Sequence, residues 1–189
     1  MNLERRLTMT KTALILVDIQ NDYFPGGAWE VPGMEAAAGQ AAHLLAAARR
    51  DGVLVIHVRH EFASAEAPFF RPGSSGAEIH ASVAPTATET VLTKARPNAF
   101  VGTALLDLLQ GGDIQAVTLC GAMTQMCIDA TARAAADLGF AVTVAADACA
   151  ARAVSFDGQD VPAEMVHAAF LAPLAASYGR VVPVSTLLD

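Results

Sequence analysis

Three side chains of this sequence stand where apolar runs stop, and together they could do chemistry: Asp18, Lys94 and Cys127. Cys127 closes the stretch Gly121-Ala122-Met123-Thr124-Gln125-Met126-Cys127, between the apolar run 116–120 and the helix-like run 128–138. A thiol in the first turn of a helix faces unpaired backbone N–H groups and the positive end of the helix dipole, both of which favour thiolate. Cysteine is also a small apolar residue that packs well in cores, so partners must decide its role. Asp18 ends the run Leu14-Ile15-Leu16-Val17, and Lys94 ends Val91-Leu92-Thr93. A carboxylate can move a proton, an ammonium can hold ionised partners, and a thiolate can attack a carbonyl. The alternatives are a turn cap for Asp18 and a snorkelling surface lysine for Lys94.

The elements that would position these groups alternate along the chain. Strands are expected at 12–17, 53–58, 90–93, 115–120, 141–145 and 180–184, with helices at 34–50, 101–109, 127–138 and 161–178. Apolar strands without polar alternation, separated by helices, indicate a doubly wound α/β fold. Its sheet is mainly parallel and six-stranded, with helices on both faces in a Rossmann-like three-layer arrangement. In such a sheet the ligand crevice lies beyond the carboxyl ends of the strands. Asp18, Lys94 and Cys127 all follow strands, so that topology gathers them at one edge. Glycines at Asp51-Gly52, Gly111-Gly112 and Leu138-Gly139 mark helix ends, and Pro173 predicts a kink or break in the last long helix. The Pro-, Gly- and Ser-rich stretch 61–89 is expected to form a wall or lid of a pocket, and 155–161 a second rim loop.

With 189 residues the chain is about one domain, read as a short extension over 1–11 followed by a single domain over 12–189. Hydrophobic residues make up 53% of the sequence, but no run approaches the roughly 18–20 residues that span a bilayer. A net charge of −7 disfavours a nucleic-acid surface, which needs a basic face. Cys120, Cys127 and Cys149 have neither zinc-site nor CxxC spacing, so core packing is expected for Cys120 and Cys149, and a reducing cytoplasm for the protein. Asp147 reads as a turn or helix-cap residue. Alanine-rich helices suit close packing and a homo-oligomer.

The combined motifs resemble the isochorismatase-like cysteine hydrolase superfamily, which includes nicotinamidases and N-carbamoylsarcosine amidases. The resemblance rests on Asp18-Ile19-Gln20-Asn21-Asp22-Tyr23-Phe24-Pro25-Gly26-Gly27, Lys94-Ala95-Arg96-Pro97-Asn98-Ala99-Phe100, Gly121 to Cys127, and Ala145-Ala146-Asp147-Ala148-Cys149. It implies a catalytic triad of Asp18, Lys94 and Cys127. It also implies a cis peptide between Ala122 and Met123, and an oxyanion hole made by the Met123 and Cys127 N–H groups. The implied activity is hydrolysis of a C–N bond in a small amide, carbamoyl or ureido substrate through a thioester.

Departures from the relatives bear on cofactor and substrate. Nicotinamidases usually carry an Asp and two His as metal ligands after the second strand, whereas this chain reads Val55-Ile56-His57-Val58-Arg59-His60-Glu61. On a strand, His57 and His60 point to opposite faces, a poor chelate. No metal and no other cofactor is therefore expected; His57 reads as structural and His60 as reaching the pocket. Isochorismatases that cleave a vinyl ether generally lack the cysteine, so Cys127 favours C–N hydrolysis over that alternative. Pocket walls are expected from Gln20, Phe24, Trp29 and His60. Phe70, Phe100, Gln125 and Phe156 are expected to complete them, with Arg71 or Arg96 available to an anionic substrate. A dinucleotide oxidoreductase is disfavoured because no GxGxxG follows the first strand. A noncatalytic binding or scaffold protein on the same fold stands as the other class.

Overall fold

The computed structural model describes residues 10–188; most of the expected 1–11 extension lies outside the described residues. The chain runs β1 (Thr12–Val17), α1 (Met34–Arg50), β2 (Leu54–His60), β3 (Thr90–Lys94), α2 (Leu105–Gly111), β4 (Ala116–Ala122) and α3 (Asp129–Asp137). It continues through β5 (Ala141–Ala150), β6 (Val154–Phe156), β7 (Gln159–Val161), α4 (Ala163–Ser177), β8 (Gly179–Val182) and α5 (Ser185–Leu188). Six strands form one sheet in the order β3-β2-β1-β4-β5-β8, and every pairing in it is parallel. The chain winds outward from β1 to β3, crosses back, and winds the other way from β4 to β8. The reversal falls between β1 and β4, where the crevice of an open α/β sheet lies.

Residue alternation divides the core between the two faces. Leu14 and Leu16 of β1 pack with Ala37, Ala41, Leu44 and Leu45 of α1. Ala13, Ile15 and Val17 pack on the other side with Leu105, Leu109, Ile128 and Ala132. Both faces are covered, which is why the strands read as unbroken apolar runs. In α1 the buried positions Ala37, Ala38, Ala41, Leu44, Leu45 and Ala48 form one stripe, and the small alanines let the helix lie close on the sheet.

Several elements differ from the sequence reading for local reasons. Helix α2 begins at Leu105 rather than Val101, because Gly102 takes a left-handed φ of 71°. Thr103 then accepts from the Leu105 N–H at 3.2 Å. At the end of α2 the left-handed residue is Asp113 (φ 54°), not Gly111 or Gly112. Helix α4 runs unbroken through Pro173. Strand β5 extends to Ala150, so Asp147 and Cys149 lie within it. Asp147 caps no helix; it accepts the Val184 N–H at 2.7 Å and ties β5 to the chain beyond β8. The expected rim loop over 155–161 is a β6–β7 hairpin. Its two turn residues Asp157 and Gly158 both have positive φ (50° and 75°), the pattern an Asp-Gly pair supports in a tight hairpin.

Candidate active site

The carboxyl ends of β1, β3 and β4 deliver the three groups. Asp18 follows β1 in a left-handed conformation, φ 52°, and its N–H still donates to the Val58 carbonyl at 2.8 Å. The ladder therefore continues through Asp18 while its side chain is turned toward the crevice. Such a φ is unusual for a non-glycine residue and persists where neighbours over-determine it. Lys94 is the last residue of β3 and stands opposite His60, the last of β2, in register. Strand β4 ends at a cis peptide between Ala122 and Met123. A π-helical turn, Thr124–Ile128, follows and carries Cys127 before α3 begins. The Thr124 hydroxyl sits 2.9 Å from Nδ1 of His167 on α4, which anchors the turn. Widened turns of this kind recur at functional sites.

Lys94 is the hub. Its ammonium lies 2.7 Å from Asp18 Oδ2, 3.2 Å from Cys127 Sγ and 3.1 Å from His60 Nδ1. The Asp18 contact is an ion pair between two fully buried side chains. Asp18, Lys94 and Cys127 are all buried, Cys127 being 5% exposed, and neither the capping nor the snorkelling alternative fits such burial. Burial works against the Lys94 charge, but Asp18 and then Cys127 outweigh it and hold its pKa above the ordinary lysine value. Burial, reinforced by the Asp18 charge, pushes the Cys127 thiol up against the pull of Lys94. Burial thus opposes the helix terminus, which by itself favours thiolate. His60 is held below the usual histidine value by burial and then by Lys94, so it is neutral. With Nδ1 facing the ammonium, the ring proton belongs on Nε2, a buried atom with no partner.

Asp18, His60 and Cys127 bring donor atoms within 4.8 Å of one another, which could suit a metal ion. The Lys94 ammonium reaches all three, so positive charge already stands where a cation would sit. The cluster is organised around an ammonium. His57 faces away and bonds Glu89 at 3.1 Å. Glu89 is drawn to a pKa of about 2, chiefly by its hydrogen bond from Arg49.

The surrounding residues differ in what they touch. Gln20 is fully buried and structural: its amide oxygen accepts the His60 N–H at 2.7 Å, and its Nε2 donates to the His60 and Ala77 carbonyls at 2.8 Å. It clasps the 61–89 segment to β2, aided by the Gln20–Ile79 bridge. Phe70 is fully buried beside Tyr23, and Phe24 is buried and stacks on His80 at 3.6 Å. Gln125 and Phe100 remain beside the Cys127 turn. Gln125 donates to the Arg152 carbonyl at 3.2 Å, and Phe100 packs in the same apolar cluster as Cys127. Phe156 is 84% exposed on the β6–β7 hairpin, away from the buried cluster, because it flanks the tight turn. Arg71 is held by the Ala67 carbonyl, and Arg96 is exposed.

Two residues escaped the sequence reading. Asp22 accepts the N–H groups of Phe70 and Ala28 at 2.6 and 3.1 Å and so fastens two loops together. Arg152 follows β5 and stands over Trp29, its guanidinium carbon 4.1 Å from the ring centroid. Its position just past a strand end was the available signal.

An Isochorismatase domain model matches residues 12–182. The chain belongs to the isochorismatase family. It is 44% identical, over 94% of its length and 98% of the relative's, to an uncharacterized isochorismatase family protein of Bacillus subtilis. It is 38% identical to the maleamate amidohydrolase of Pseudomonas putida, over 71% of this chain and 70% of that one. The crystal structure of an isochorismatase-family hydrolase from Oleispira antarctica superposes with a TM-score of 0.92 at 49% identity, covering 95% and 96% of the two chains. The protein is thus an isochorismatase-family hydrolase with Asp, Lys and Cys in place. No described helix is long and apolar enough to cross a membrane.

Proposed function

We propose that this isochorismatase-family protein hydrolyses the C–N bond of a small amide, with Cys127 as nucleophile, Asp18 as proton carrier and Lys94 as the fixed positive charge. The observation that carries this reading is the single buried ammonium in contact with both a carboxylate and a thiol. The thiol must lose its proton to react, and we assign its acceptance to Asp18, which has a carboxylate oxygen within 4.8 Å of the sulfur. The thiolate forms a bond to the carbonyl carbon, and the displaced electron pair rests on oxygen. The Met123 and Cys127 N–H groups are assigned to that oxygen as an oxyanion hole. The C–N bond then breaks as Asp18 returns its proton to the departing nitrogen. Water, losing a proton to Asp18, attacks the thioester, the C–S bond breaks, and the sulfur recovers the proton. Lys94 stays charged throughout, so negative charge can pass between oxygen and sulfur without exposing either alone.

Maleamate, the substrate named for the Pseudomonas putida relative, is the first compound to try. Intact-mass spectrometry of rapidly quenched reactions should show an acyl adduct on the wild-type chain and none on Cys127→Ala. That variant should keep its fold and lose turnover; undiminished activity would overturn the reading. The assignment of a homo-oligomer and of a cytoplasmic location belongs to the same proposal, and sedimentation of the purified protein tests the former.

A further inference from the structure

We propose that His60 is a positioning residue for the Lys94 ammonium, its neutral ring accepting one N–H so that the other two are kept on Asp18 and Cys127. The inference rests on the amide hydrolase reading above, in which Lys94 is the fixed positive charge. An ammonium carries three N–H donors and no acceptor. Lys94 has three polar side-chain contacts, with Asp18 Oδ2 at 2.7 Å, His60 Nδ1 at 3.1 Å and Cys127 Sγ at 3.2 Å. Donors and neighbours are therefore matched one to one. Without the ring, an N–H of a lysine only 2% exposed would be left with no acceptor, and the long, flexible side chain would turn to find one. The two contacts that the chemistry uses would loosen with it.

The ring is fixed from several sides. His60 and Lys94 end neighbouring parallel strands in direct register, which puts both side chains on one face of the sheet. The His60 N–H donates to Gln20 Oε1 at 2.7 Å, and the His60 carbonyl accepts from Gln20 Nε2 at 2.8 Å. Glu61, the next residue, donates its N–H to the Lys94 carbonyl at 3.0 Å and so ties the two strand ends together. Phe62 and Phe70 flank the imidazole, with ring centroids at 4.5 and 6.1 Å. The polarity of the contact also sets His60 apart. His57, three residues earlier on the same strand, turns its ring to the Glu89 carboxylate, whereas His60 turns to a cation. Only a ring whose Nδ1 carries no proton can do so, because an imidazolium would set two cations 3.1 Å apart in a buried site. The proton then stands on Nε2, which is buried without a hydrogen-bond partner among the described residues. Among those residues the contact with Lys94 is the one hydrogen bond within 3.2 Å that the ring makes, and pairing at Nε2 is given up for it.

NMR of the protein carrying nitrogen-labelled histidine reads the contact without any turnover. Near neutral pH the wild type should show His60 as a neutral ring with its proton on Nε2 and a hydrogen-bonded acceptor at Nδ1, and the Nδ1 resonance should move in Lys94→Met. A proton on Nδ1, a charged ring near neutral pH, or an Nδ1 resonance unmoved by Lys94→Met overturns the inference. With maleamate as substrate, His60→Phe, which keeps an aromatic ring but loses the acceptor, should lower kcat by about 10- to 100-fold with KM little changed, the loss expected for one hydrogen bond to a charged group. His60→Asn, whose side-chain oxygen can take the place of Nδ1, should recover most of that loss. Full kcat in His60→Phe, or an Asn variant no better than the Phe one, counts against the role. Should His60→Phe fail to fold, the wild-type spectra and the Asn variant still decide it. If the wild type turns over no amide, the hydrolase reading fails separately, and the spectra alone settle whether His60 holds Lys94.

Discussion

Replacing Lys94 with Met tests whether the ammonium and Asp18 behave as one buried pair. At 2.7 Å, with both side chains fully buried, an effective dielectric constant of about 20 gives an attraction of about 6 kcal/mol. Desolvation of the two ions consumes much of that, so the pair's net contribution is small. Removing one partner is different, because the other ion stays buried and loses its compensation. Lys94→Met and Asp18→Asn should each cost about 3–5 kcal/mol. The double variant should cost clearly less than the sum, since neither charge is then left alone. Urea unfolding near neutral pH, followed by far-UV circular dichroism for all four proteins, measures the cycle. Each single variant should also melt about 6–20 °C lower. Losses that add to within about 0.5 kcal/mol would refute the coupling, because independent sites add in that way.

Gly121 has φ 123°, and a Cβ there would collide with the Val17 carbonyl on the neighbouring strand; Gly121→Ala should therefore cost at least about 3 kcal/mol or abolish soluble expression. His57 and His60 are held below the ordinary histidine value, His60 by burial and then Lys94, His57 by burial against the opposing pull of Glu89. Their contribution to stability is full above the unfolded value of about 6.5 and is lost as pH falls through the lowered folded values, a slope that urea titrations at stepped pH should show and His57→Gln should reduce. Lys94 has the opposite sign: its raised pKa gives stability that is present below the ordinary value of about 10.4 and lost as pH rises through the folded one, measurable as an alkaline unfolding limb absent from Lys94→Met. Gln20→Ala would strand the His60 N–H and two buried carbonyls, with an expected cost of about 3 kcal/mol by denaturant unfolding. Phe156→Ser should leave the unfolding free energy of the isolated protomer within about 0.5 kcal/mol.

The architecture was readable because it depends on period and spacing. Helix α1 occupies the bounds expected for it, and β1 begins and ends where its apolar run does. Asp18 and Lys94 were legible for the same reason, since a polar residue closing a parallel strand must emerge at the crevice. The widened turn around Cys127 left no such trace. Its apolar and polar residues suit an ordinary helix start, and only tertiary contacts such as Thr124 to His167 select the wider geometry. The Asp157-Gly158 pair was a hairpin signal present in the letters, masked because the flanking strands are only three residues each and exposed. The contact of Arg152 with Trp29 was invisible in the letters, because the two lie more than a hundred positions apart in the chain. Asp22 was likewise hidden, since its partners at Ala28 and Phe70 are backbone amides that any sequence supplies.

The reactive groups hang from the ends of three strands of one continuous sheet, whereas Trp29, Phe62, Phe69 and Arg152 are borne by connecting segments. The buried reactive cluster and the aromatic groups around it are thereby carried by mechanically separate parts. Insertions, deletions or exchanges in those segments can redirect the protein toward new compounds while the sulfur, carboxylate and ammonium keep their mutual spacing. A single scaffold can in this way serve diverse nitrogen-releasing reactions through changes at its periphery alone.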